Sequence, residues 1–110
     1  MILIKTIAAI ILSYFALFSA RGADPKTNWM NNCMQCHGPD GSANTSMGKA
    51  LNAKDLTNAG IQSSFTDAEA VAAIKDGVTK DGMTRMIAFG GKLTDEEIKA
   101  LVAYVRTLKK

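Results

Sequence analysis

Cysteine and histidine are scarce in this 110-residue chain, with two of the first and one of the second. A structural zinc site takes four ligands, typically from two separated pairs. Only Cys33, Cys36 and His37 are at hand, all in one stretch, so carboxylates or a second subunit would have to complete it. A disulfide between Cys33 and Cys36 would close a loop of four residues, and because stabilisation grows with loop length it would staple almost nothing. No strand-like run precedes Cys33, so the βαβ setting of a thioredoxin-like dithiol is missing. No cysteine lies near residue 20, which rules out a lipoprotein anchor. There is also no internal repeat and no low-complexity segment.

Long apolar runs are limited to one. After Lys5, residues Thr6 to Ala20 carry no charge, a run of about fifteen. A membrane-spanning helix needs about 20 apolar residues, whereas a basic start, a run of this length and small residues after it form a secretory signal pattern. The pattern predicts a signal peptide over residues 1–22, cut before Ala23 after the small residues Ala20 and Gly22, with an exported domain over 23–110. The alternative is a retained anchor that would tether the domain to a membrane. Without Lys5 and Arg21, 11 basic residues face 10 acidic ones. Near neutrality gives little reason to expect nucleic acid or an anionic surface as partner. A domain this small buries a marginal core and calls for a disulfide, a metal or a large cofactor.

The exported part reads as helical, with no convincing strand. Residues 25 to 36 form a first helix opened by Pro25, although three asparagines make it poor by propensity. A Gly, Pro, Asp, Ser and Asn loop follows to Ser46, and 47 to 56 has room for a turn or two of helix. Thr66 and Glu69 make a capping box for a helix ending at Gly77. The next segment, "DGVTKDGMTRMIAFGG", with two Asp-Gly steps and a Gly-Gly pair, reads as irregular. Thr94 and Glu97 form a second capping box, and Ile98, Leu101, Val102, Val105 and Leu108 recur at helical spacing on one apolar face.

One use of "CMQCHGPDG" engages all three scarce residues together. Cys-x-x-Cys-His is the attachment signature of c-type haem. On a helix, positions three and four apart share a face, so Cys33, Cys36 and His37 can present two thiols and an imidazole to one flat ligand. The thiols would add across two vinyl groups to give thioethers, and the imidazole would bind iron. Such a macrocycle would also supply the missing core.

With "CMQCHGPDG" followed by "MIAFGGKLTDEEIKALVAYVRTL", the chain resembles the class I c-type cytochromes over essentially its whole exported length. The resemblance implies an all-α, cytochrome c-like bundle of about three to five helices wrapped around one covalently attached haem c. It makes Cys33 and Cys36 the thioether residues, His37 the proximal ligand and Met86 the sulfur ligand, with Met83 as next choice and Met47 on a loop that could fold over. Trp29 and Tyr104 take the places of two aromatics that pack together. Three departures stand out. Ile87 replaces a proline, Pro25 stands where a glycine lets the first and last helices cross, and no proline matches the one whose carbonyl receives the imidazole N–H; Pro39 is too near His37 for that role.

Histidine plus methionine ligation leaves no vacant position on the iron, and thioether sulfur raises its potential. The resemblance therefore implies a periplasmic one-electron carrier rather than an enzyme, a monomer serving unnamed redox partner proteins. Lys49, Lys54, Lys75, Lys80 and Lys92 form either a docking rim or an ordinary solvated surface. The alternative function is a haem protein with an open or labile sixth position, acting as a gas sensor or redox-enzyme subunit. The outermost alternative is a colourless thiol or metal-binding protein.

Overall fold

Helix starts in this chain are set by short polar side chains that accept from otherwise unpaired backbone N–H groups. The structure, a computed structural model, describes residues 22–110, so nearly all of the expected signal segment lies outside the described residues. Asp24 caps α1 (Pro25–Asn32), Thr45 caps α3 (Ser46–Leu51), and Asn58 caps α4 (Ala59–Ser63). Thr66 and Thr94 open α5 (Asp67–Asp76) and α6 (Asp95–Thr107), each through a complete capping box with Glu69 and Glu97. Between α1 and α3 lies α2 (Met34–His37), and between α5 and α6 an antiparallel hairpin of β1 (Val78–Lys80) and β2 (Met83–Met86).

The turn or two of helix expected within 47 to 56 is present as α3, which stops at Leu51 because Asn52 turns left-handed at φ 56°. Three expectations need correction. The single helix over 25–36 is interrupted at Cys33, where φ of −114° separates α1 from α2. The expected three to five helices are six among the described residues, since α4 has little apolar pattern to announce it. Finally, the fold is mostly helical rather than all-α: "VTKDGMTRM" contains the hairpin. Asp81 and Gly82 have φ of 54° and 73°, the pair of positive values that a two-residue type I′ hairpin turn requires. The flanking residues are largely exposed and lack the alternation that betrays a strand.

The core lies along the apolar face of α6. Ile98, Leu101, Val102 and Val105 are buried there with Trp29, Leu56, Ile74, Phe89 and Leu93, and Leu108 packs at the edge. α6 packs on α1 and on α5. Trp29 and Tyr104 meet at the α1–α6 crossing with ring centroids 5.6 Å apart. Pro25 does not prevent that approach, because the contact is made one turn later by Asn28 and Trp29. Buried Asn28 donates through Nδ2 to Glu97 Oε2 at 2.9 Å, so one of the unfavourable asparagines ties the two helices together.

Arg106 fastens the other side. It donates to Asp67 Oδ1 (2.9 Å), to the carbonyl and side-chain oxygens of Gln62, and to Phe65 O (2.8 Å), while its guanidinium lies 4.4 Å above the Phe65 ring. Gln62, itself buried, donates to Leu56 O and Val105 O. The Lys75–Asp95 ion pair, by contrast, has side chains 47% and 69% exposed, a setting worth about 0–1 kcal/mol. Arg106→Met should therefore lower the unfolding free energy by roughly 2–4 kcal/mol, as for a charged donor removed from several part-buried acceptors. Lys75→Met should change it by less than about 1 kcal/mol. Urea denaturation of the two variants checks the contrast.

Candidate functional site

Cys33, Cys36 and His37 fall on one face because the backbone keeps helical bonding through the interruption. His37 N and Cys36 N both reach Cys33 O, at 2.9 and 3.3 Å. Both cysteines are free thiols. Burial pushes the Cys33 thiol up to about 11, with the neighbouring Cys36 adding to the effect. Cys33 is thus a protonated thiol at neutral pH, contrary to the lowered pKa of a reactive dithiol. Among the described residues no cluster of three or more His, Cys, Asp or Glu side chains gathers as a metal site would require.

The loop after the motif holds α2 by its otherwise unpaired carbonyls. Ala43 N donates to His37 O at 2.7 Å, and the Thr45 hydroxyl donates to Cys36 O at 2.7 Å while accepting from Gly48 N. Gly48 lies so close to the Cys36 carbonyl that no Cβ fits there. The imidazole is oriented as well: Nδ1 is 3.1 Å from Lys54 O. A carbonyl only accepts, so the neutral ring carries its proton on Nδ1 and leaves the Nε2 lone pair free for a metal. Burial lowers the His37 pKa, which favours that neutral form, and the Lys54 bond opposes it less strongly. The carbonyl partner that the sequence leaves unassigned is therefore Lys54, in a loop with no proline to mark it.

These residues form part of a cavity of about 570 Å³, within the range of about 300–1,000 Å³ occupied by ligand sites. Cys33, Cys36 and His37 line it together with Met86. Of the rivals for sulfur ligation, Met83 is 49% exposed and lies outside the lining, whereas Met47, 42% exposed, belongs to it. Trp29 also lines the cavity, its ring centroid 5.8 Å from that of His37 and its Nε1 donating to Gly38 O.

Met86 is held without the proline that Ile87 replaces. The carbonyls that α5 leaves unpaired at its C-terminus accept from the chain beyond Met86: Phe89 N to Ile74 O at 2.8 Å and Gly90 N to Lys75 O at 3.0 Å. Gly77, at φ 79°, lets that backbone come within contact; a Cβ there would stand 2.7 Å from Met86 O.

The residues fit a covalently bound haem on three grounds. Two free thiols and an imidazole with a free Nε2 share one wall. The lining is dominated by apolar side chains, and a thioether from another element reaches the same space. Two buried polar atoms, Asn32 Oδ1 and Arg85 Nε, have no hydrogen-bond partner among the described residues, and both side chains line the cavity.

A mostly helical domain around such a cavity, with Cys-x-x-Cys-His on its wall, defines a c-type cytochrome. Residues 20–105 match the family model of cytochrome c oxidase, cbb3-type, subunit III, and the chain belongs to that family. Several solved chains are similar, two of them as follows. The KustC0563 c-type cytochrome is 35% identical with a TM-score of 0.69, over 80% of this chain and 100% of that one. A tyrosine-to-phenylalanine mutant of Kustc0563 is 36% identical with a TM-score of 0.67, over 79% and 100%. Among curated proteins no significant match is found. Membership in this family implies a covalently bound haem c and electron transfer.

Gly77 and Gly82 separate two effects. Both have positive φ, but nothing lies within 4 Å of a Cβ on Gly82. Gly82→Ala should cost about 1–2 kcal/mol for the left-handed backbone alone. Gly77→Ala should cost more, because Met86 must shift as well. Denaturation of the two variants gives the difference, and only Gly77→Ala should alter the visible spectrum.

Proposed function

We propose that the protein is an exported one-electron carrier in which His37 and Met86 bind the iron of a haem c joined to Cys33 and Cys36 through thioethers. When bound, the haem supplies an iron that alternates between Fe(II) and Fe(III). The chain's own residues orient the imidazole, present the sulfur and keep water from the iron. The observation that carries this reading is that His37 Nε2, freed by the Lys54 carbonyl, and the Met86 thioether belong to one largely apolar cavity. Two strong protein ligands leave no place for substrate on the metal, which favours outer-sphere transfer, and thioether sulfur raises the potential.

The same reading takes residues 1–22 as the export signal and 23–110 as the working domain, a monomer in the periplasm serving redox partner proteins. Among the described residues no helix is long and apolar enough to cross a membrane. The lysines do not form a uniform rim: Lys75 is engaged by Asp95 at 3.2 Å, and Lys54 belongs to the cavity lining. An ordinary solvated surface accounts for them better than a dedicated docking ring, so electrostatic steering should be modest.

The visible spectrum of the exported protein, oxidised and reduced, tests the ligand set. Colour that survives acid–acetone extraction, with low-spin bands in both states, is the expected result. Met86→Ala should become high-spin when reduced, bind CO and show a lower potential. Met83→Ala should leave all three unchanged. Loss of the low-spin spectrum in Met47→Ala but not in Met86→Ala would transfer the role to Met47. A wild-type protein that is already high-spin would point to the open-site sensor or enzyme subunit.

A further inference from the structure

The pairing of β1 with β2 is irregular at one place. Val78 faces Met86 and Thr79 faces Thr84, so Arg85 has no partner across the ladder. It is the extra residue of a β-bulge, a device that re-aims side chains. In a regular strand Arg85 and Met86 would point to opposite faces. Here both are partly buried and both line the cavity.

That position leaves the guanidinium short of partners. Arg85 Nε is fully buried without a hydrogen-bond partner among the described residues, and Arg85 takes part in neither of the ion pairs found there. Glu69 is the one carboxylate among the lining residues, and it is committed to the α5 capping box, accepting from Thr66 N at 3.0 Å. Asn32 Oδ1, the other unpaired buried atom, is an acceptor and could satisfy Arg85, yet neither bonds the other. What the site lacks is an anion with planar oxygens, which a guanidinium binds through paired, charge-assisted bonds. Haem carries two propionate carboxylates, and a carboxylate taken into a largely apolar cavity needs a cation.

We propose that Arg85 is the counter-charge for a haem propionate, placed beside Met86 by the bulge. This rests on the haem reading of the cavity. Arg85 is a positioning and charge-compensating residue; it does not touch the iron. By neutralising a negative charge near the iron it favours Fe(II), and so raises the potential.

The test uses the haem-loaded protein and three variants: Arg85→Gln, Arg85→Lys and, as an exposed hairpin control, Lys80→Gln. The midpoint potential and the propionate bending bands in the resonance Raman spectrum are read for each. Arg85→Gln should lower the potential and shift the propionate bands while the spectrum stays low-spin. Arg85→Lys should recover most of the potential but only part of the band shift, because an ammonium lacks the planar fork. Lys80→Gln should leave the bands in place and move the potential far less. If Arg85→Gln and Lys80→Gln behave alike in both readouts, the proposal is overturned while the haem reading stands. Absence of covalent colour in the wild-type protein would overturn both. Should Arg85→Gln fail to fold, unshifted bands and an unshifted potential in Arg85→Lys would still overturn it.

Discussion

The core of this domain is open on one side, and that opening governs how the remaining parts are arranged. Of the nine residues in the main buried cluster, Trp29, Leu56, Ile74, Phe89, Leu101 and Val105 also line the cavity. Most of the core therefore has protein against one face and the cofactor site against the other. A domain of this size buries too small a fraction of its surface to be comfortably stable without a staple. The covalently bound haem c that the family implies would supply apolar surface where the chain has little of its own. Cofactor binding and folding are then one problem, in the sense that filling a native-state site stabilises the native state.

The two sides of the cavity are held by different means. On the His37 side the tethers are local: a loop carbonyl at Lys54, a hydroxyl from Thr45 and an amide from Ala43, each within twenty residues of the motif. On the Met86 side the restraint comes from the end of α5, whose unpaired carbonyls accept from Phe89 and Gly90. A proline after Met86 would stiffen the loop by fixing φ. Ile87, which is 64% exposed, does nothing of the kind. The restraint has moved from a backbone dihedral to hydrogen bonds that a helix terminus must make with something.

Much of this was legible in the residues. Both capping boxes follow from Thr-x-x-Glu, and the apolar face of α6 follows from its periodicity. The attachment motif is contiguous, so local spacing is enough to place its three side chains together. What could not be read depends on contacts distant in sequence or on backbone atoms. The imidazole finds a carbonyl, and every residue has one, so nothing in the letters at Lys54 distinguishes it. Asn28 reads as a weak helix former until Glu97, sixty-nine residues away, is found to accept from it. The hairpin did leave a signal in Asp81-Gly82, but the identical Asp76-Gly77 step ends a helix, and the flanks give no alternation to tell the two apart.

That ambiguity bears on function, since the hairpin carries both Met86 and Arg85. Read as irregular chain, "MTRM" offers two methionines three residues apart with no physical reason to choose between them. The ladder separates them. Met83 pairs with Lys80 next to the turn and is exposed, while Met86 pairs with Val78 where the hairpin meets the body of the domain. The bulge between the last two pairs then brings Arg85 to the same side as Met86. A single inserted residue in a very short sheet thus sets Arg85 beside Met86 in the cavity lining. The positive charge is local and partly buried, so solvent screens it less than it screens the surface lysines. It can act on the cavity even though the chain's overall charge is nearly balanced.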